Sequence, residues 1–205
     1  MTLIQQNKFF HFTHLKNTTS KYSSFDLGEI IYPTGVKCFK VKVRKNLIYI
    51  VELYYYNEYV FIKFHPKIHE SNPKKYQLVG MGLKNEEIRK LLNTCCKIVL
   101  YDIDKNDSTN LVYAFFGQWY DKDNSFSRLI SKRFSLYEKQ VATFFSESNF
   151  HHFRLDITNF YSISSIENKR FIPQIKALFE KLLSNDEIIS LFMTERAKNE
   201  YMVSE

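Results

Sequence analysis

Glycine and proline are scarce in this chain, with five and four copies among 205 residues. So few glycines leave little capacity for the tight turns that cradle nucleotides. No Gly-rich phosphate loop, G-x-S-x-G elbow or H-E-x-x-H sequence stands out. The three cysteines, Cys38, Cys95 and Cys96, form an odd set with two adjacent members. That spacing gives neither a disulfide framework nor a paired C-x-x-C zinc pattern, and it fits reduced thiols in a cytoplasmic protein. Met1 to Phe12 lacks a basic region followed by an apolar run, so no secretory signal is expected. The longest apolar run, Leu47 to Tyr56, is too short to span a bilayer and contains Glu52, so no membrane segment is expected either.

What the chain does have is rings and lysine. Aromatic residues make up 17%, and Lys outnumbers Arg 22 to 7, a profile that follows the codons of an AT-rich genome. Codon bias does not explain where the charge sits. Residues 1–83 carry 12 Lys and Arg against 5 Asp and Glu, whereas residues 84–205 carry 17 against 17. The whole surplus of +7 therefore belongs to the first part, and a localised field of this kind attracts polyanions.

That basic part reads as strands. Val36–Arg44 alternates, with Val41 and Val43 on one face and Lys40, Lys42 and Arg44 expected on the other. Lys45-Asn46 suits a tight turn into 47–56, and Asn57 marks the next turn into 58–65, so a meander of antiparallel neighbours follows. Residues 76–81 can add a strand, ended by Gly80 and Gly82. The character then changes. Ile88, Leu91, Leu92, Cys95 and Val99 recur at helical spacing, 111–116 reads as a buried strand, and a second helix is expected over about 125–146. Short strands at 150–155 and 160–163 precede a helix with Pro173 in its first turn, and a final short helix is expected over 187–196. With no internal repeat and no linker, the fold class is α+β: a single domain, 1–205, with an N-terminal antiparallel β-meander packed against helices and a helical C-terminus.

Leu111-Val112-Tyr113-Ala114-Phe115-Phe116, a loop, Arg128 and then Ser131-Lys132-Arg133-Phe134 resemble a pattern in small uncharacterised α+β families of the Bacteroidota. In those families a similar strand is followed by a helix opening with Arg and aromatic residues. This chain has Gly117-Gln118-Trp119 and an acidic stretch in place of their threonine- and glycine-containing loop. The resemblance implies a small accessory protein of the antiviral-defence or toxin–antitoxin type and assigns no chemistry.

Three groups of residues are candidate sites. Lys40, Lys42 and Arg44, with Tyr59, Phe61, Lys63 and His65 two strands on, would offer cations for phosphates and rings for unpaired bases if their faces coincide. The alternative is that the rings pack beneath the helices and the lysines are merely solvated. On the second helix, Arg128 and Lys132 are one turn apart, near Arg133 and Lys139, which suits neighbouring phosphates or simply a solvated face. The run Phe150-His151-His152-Phe153-Arg154 could cleave RNA by acid–base chemistry, with His151 or His152 and the Arg154 cation. Adjacent strand residues face opposite ways, however, so a second group would have to come from Glu147, Tyr137 or His65. The histidine pairs 11/14 and 65/69 lack matching carboxylates or thiols, so neither metal nor cofactor is expected. The sequence thus points to a nucleic-acid-binding accessory protein for RNA or single strands. The alternatives are a non-catalytic interaction subunit, docking a partner or second copy through its apolar C-terminal helices, and a metal-independent ribonuclease toxin.

Overall fold

The computed structural model describes residues 8–15, 33–72, 75–76, 82–106, 109–116, 132–156 and 159–183. The meander forms as the alternation requires. Strands β1 (Phe12–His14), β2 (Gly35–Arg44), β3 (Leu47–Tyr56) and β4 (Tyr59–Pro66) are antiparallel neighbours. Asn57 turns the β3–β4 corner at φ 35°, a left-handed conformation that asparagine tolerates.

After β4 the chain makes a 3-10 turn and enters helix α1 (Asn85–Asn106). Gly82, at φ 74°, lies just ahead of that helix. The Glu87 carboxylate accepts the Lys84 backbone N–H at 2.8 Å, satisfying one of the donors that a helix start leaves over. Helix α1 is a crossover. It returns the chain to β5 (Val112–Phe116), which lies parallel to β4, as a connection of this length allows. Helix α2 (Lys132–Phe144) leads to β6 (Phe150–Leu155) and β7 (Phe160–Ser165), and β7 inserts between β5 and β6. Helix α3 (Phe171–Leu183) follows. The seven-stranded order is β1-β2-β3-β4-β5-β7-β6, and the architecture is α+β.

Both faces of the sheet are covered, which is why β3 reads as an unbroken apolar run and not as an alternation. On one face Phe39, Val41, Tyr49, Val51, Leu53, Tyr113 and Phe115 pack against Leu91, Ile98 and Val99 of α1 and Phe134 of α2. On the other, Tyr54, Tyr59, Phe61, Val112, Ala114 and Phe160 pack against Phe171, Ile175 and Leu178 of α3. A buried amide network anchors α3. Asn168 donates to Ser164 Oγ at 2.8 Å and to Gln174 Oε1 at 2.7 Å, and Gln174 donates to the Asn110 carbonyl at 3.1 Å.

Several expectations are adjusted. Tyr76 lies in a turn, and the remainder of the strand expected over 76–81 falls outside the described residues, as do 125–131 and the final helix over 187–196. The apolar stripe of α3, a candidate partner surface by sequence, is used on the protein's own sheet. Among the described residues no helix is long and apolar enough to cross a membrane.

Candidate functional site

The expected basic, aromatic face is divided by the fold. Lys40 and Lys42 do share a face of the sheet with Tyr59, Phe61, Lys63 and His65, because Lys40 pairs with Ile50 and Ile50 with His65. Lys42 is exposed and Lys40 half-buried. Arg44 is not beside them. A bulge between Lys42 and Arg44 places two residues opposite Leu47, which reverses the side-chain alternation. Arg44 is thereby turned to the α1 face, where it donates to Glu87 through Nε at 2.5 Å and to the Gly82 carbonyl at 3.0 Å. The rings are not a stacking platform either. Tyr59 and Phe61 are 6% and 2% exposed beneath α3, and the Tyr59 hydroxyl donates to the Gln174 carbonyl at 2.7 Å. Burying large rings is worth more than presenting them to water, and α3 supplies the cover.

Of the helical candidates, Lys132 and Arg133 open α2, with side chains outside the described atoms, and Arg128 lies outside the described residues. His151 and His152 point to opposite faces, as strand geometry dictates. His151 stacks on Phe171 of α3 at 5.3 Å, whereas His152 Nδ1 lies 2.8 Å from the Tyr161 hydroxyl on the α2 side. Arg154 is committed to Glu138 and Asp156. No shared site forms from the three.

The structure instead opens a cleft that the sequence did not announce. Strands β4 and β5 pair only through Tyr59–Val112, Val60–Tyr113 and Phe61–Ala114. Two further rungs, Ile62 with Phe115 and Lys63 with Phe116, would continue that register, and they are not formed. The strands part there, and each keeps its other neighbour: β4 stays paired to β3 as far as Pro66, and β5 to β7 as far as Phe116. Beyond Phe61 and Ala114 the two strands are therefore not joined to one another, and a gap opens between them.

A cavity of about 100 Å³ occupies this gap. Its walls on the α1 and α2 side are largely apolar, with Leu92, Cys95, Cys96 and Val99 from α1, Tyr137 and Val141 from α2 beside the polar Gln140, and Ile62, Phe64, Phe115, Tyr161 and Ile163 from the sheet. Phe61, Lys63, Phe116 and Tyr76 also line it. Those four lie toward the opposite face, so the cavity runs through the sheet plane. Burial pushes the Cys96 thiol up to about 12, which makes it an inert wall at neutral pH.

The far end of the gap adjoins a buried polar cluster. Glu52 accepts from the Tyr76 hydroxyl at 2.5 Å and lies 3.5 Å from Lys75 Nζ and 3.6 Å from His65 Nε2. The Tyr54 and Tyr76 hydroxyls are 2.9 Å apart. Burial alone would raise the Glu52 pKa, but contact with His65 and Tyr76 and the nearby Lys75 charge outweigh it, and the carboxyl is held below its usual range. Lys63 pairs with Glu52 in the ladder, and its Nζ sits 4.8 Å from the Tyr76 ring centre and 5.2 Å from that of Tyr54. Its stem is half-buried at the cavity, while Nζ is screened from solvent. Burial pushes the Lys63 ammonium well below its ordinary range, with the Lys75 charge acting in the same direction and Glu52 against it.

Two sequence signals bear on this site. Glu52 is the one acid inside the apolar run of β3, a placement that calls for buried partners. Gln77-Leu78-Val79-Gly80-Met81-Gly82 puts two glycines immediately before a long amphipathic helix, although the chain as a whole is glycine-poor. A glycine pair entering a helix start is a recurrent receiver of phosphate oxygens. Among the described residues no group of three or more His, Cys, Asp or Glu is placed to hold a metal ion. No family model matches the chain, and comparison with curated proteins and with solved structures finds no match.

Proposed function

We propose that the protein binds an extended acyl thioester of the phosphopantetheine type in the cleft between β4 and β5 and acts in acyl transfer. The observation that carries this reading is the ladder that stops at Phe61–Ala114 while both strands continue. Ligands of open α/β sheets favour the place where neighbouring strands cease to be joined, outside the carboxyl ends of parallel strands. A guest lying between two diverging strands is favoured if it is extended and carries amide groups at intervals, as a strand does. It must be narrow and partly apolar to suit the walls.

A phosphopantetheine arm meets each demand, with two amides in an extended chain, a phosphate at one end and an activated acyl group at the other. Gly82, at φ 74° ahead of α1, suits the phosphate. The surplus of cations in residues 1–83 favours the approach of an anionic ligand. The buried Glu52 cluster suits the acyl end, where protons must move.

Calorimetric titration with coenzyme A and acetyl coenzyme A tests the reading. Binding is expected in the wild type and is expected to fall at least about tenfold, a loss of roughly 1.4 kcal/mol, in Val141→Trp, which fills the cavity. Absence of binding by the folded wild type would overturn it. Retention on RNA, sensitive to Lys40→Glu and Lys42→Glu, in a protein with no affinity for coenzyme A would favour a nucleic-acid-binding role instead.

A further inference from the structure

We propose that the α1 side of the cavity is an acyl-chain pocket that selects short, uncharged acyl groups of butyryl size; this rests on the reading of the cleft given above and names the substrate class it takes. Size is the first ground. An apolar cavity of about 150 Å³ is filled by benzene, so one of about 100 Å³ has room for about four carbon atoms. That volume cannot receive a whole phosphopantetheine ligand, only one end of it. The α1 side is blind, because Leu92, Cys95, Cys96, Val99, Phe145 and Ile163, which line it, are all buried. Gln140 and Val141 of α2 and Ile62 and Phe64 of β4 are half-buried and mark the side from which a guest enters.

Polarity is the second ground. The phenols that line the cavity are engaged elsewhere: the Tyr76 hydroxyl with Glu52 at 2.5 Å, that of Tyr113 with Asp102 at 2.8 Å, and that of Tyr161 with His152 at 2.8 Å. The one charged side chain among the described lining residues is Lys63, and its Nζ is buried against the rings of Tyr54 and Tyr76, with no surface toward the cavity. An acyl group ending in a carboxylate would therefore lose its water and gain no partner, whereas a hydrocarbon tail gains from burial. Burial also pushes both thiols up, Cys95 well above its ordinary range and Cys96 to about 12, so they stay protonated walls and do not take the acyl group from the thioester. A tail longer than the pocket must either stay outside or force apart α1 and the sheet, and closely packed interiors resist that.

The experiment titrates the full chain by calorimetry with coenzyme A and with its acetyl, propionyl, butyryl, octanoyl and succinyl thioesters. Affinity should rise about fourfold with each methylene from acetyl to butyryl, the value that burying one such group gives. Octanoyl should bind more weakly than butyryl, and succinyl at least about tenfold more weakly, since its added carboxylate has no partner. Ile163→Ala enlarges the blind end and should move the optimum from butyryl to hexanoyl. The wild-type series decides the matter by itself should that variant fail to fold. Equal affinity for coenzyme A and all its thioesters, or a preference for succinyl or octanoyl, would sink this inference and leave the cleft reading intact. A folded wild type that binds neither coenzyme A nor any of the thioesters overturns both.

Discussion

Phe61 stands opposite Ala114 in the last rung that joins β4 to β5, and the next residues along each strand, Ile62 and Phe115, border a cavity instead of pairing with one another. The Phe61 ring stacks on Phe116 at 5.7 Å and meets Tyr56 edge-on at 5.6 Å, so it is the apolar floor from which the gap opens. A ring so placed is structural. Phe61→Ala should cost about 3–5 kcal/mol, read from urea denaturation. It should leave any salt-dependent retention on RNA unchanged, and selective loss of that retention at unchanged stability would contradict the burial described above.

Arg44 and Glu87 form the pair that ties β2 to the start of α1. Hydrogen bonding from Arg44, then from the Lys84 backbone, holds the Glu87 carboxyl at about 2. A depressed carboxyl contributes stability that is present above the ordinary carboxylate range and is lost as pH falls through the depressed value. The pair is exposed, so its effect on total stability is small. An NMR titration should place Glu87 near 2 in the wild type and move it toward the ordinary glutamate value in Arg44→Gln.

Asp102 is a buried carboxylate held by four neighbours. Lys37 Nζ lies at 2.8 Å, the Tyr55 and Tyr113 hydroxyls donate at 2.5 and 2.8 Å, and the Asn106 amide donates at 2.9 Å. Removing it takes the acceptor from two phenols and the ion-pair partner from Lys37, which keeps only its bond to Asn106 at 2.9 Å. Asp102→Ala should therefore lose about 3–5 kcal/mol in chemical denaturation. Lys37→Met combined with Asp102→Leu should recover part of that loss, because the Lys37 charge is then gone and only the two phenols lose their acceptor.

Glu52 makes stability depend on acid. Its carboxyl is held below the usual range despite burial, so its contribution is complete above that range and fades as pH falls through the lowered value. Urea midpoints for the wild type should decline below about pH 4, where glutamates begin to protonate. Glu52→Gln should start from a lower midpoint at pH 7 and decline less steeply. An identical slope in the two proteins would show that the cluster does not carry the dependence.

Sequence alone determined the local elements. The alternation of Val36–Arg44, the Lys45-Asn46 and Asn57 turns and the helical spacing of Ile88 to Val99 fixed most of the strands and α1, because each is a property of residues near one another. The one-sided charge was equally legible. Tertiary structure decided everything that makes a site. That β5 would lie parallel to β4, and part from it after three rungs, depends on how α1 and α2 pack over one face. No local period records that choice. The bulge at Lys42/Arg44 took one cation from the expected row, and α3 covered the rings that the sequence left available to bases. The same face pattern served both outcomes, since burial depends on which helix arrives and alternation specifies only which residues stand together.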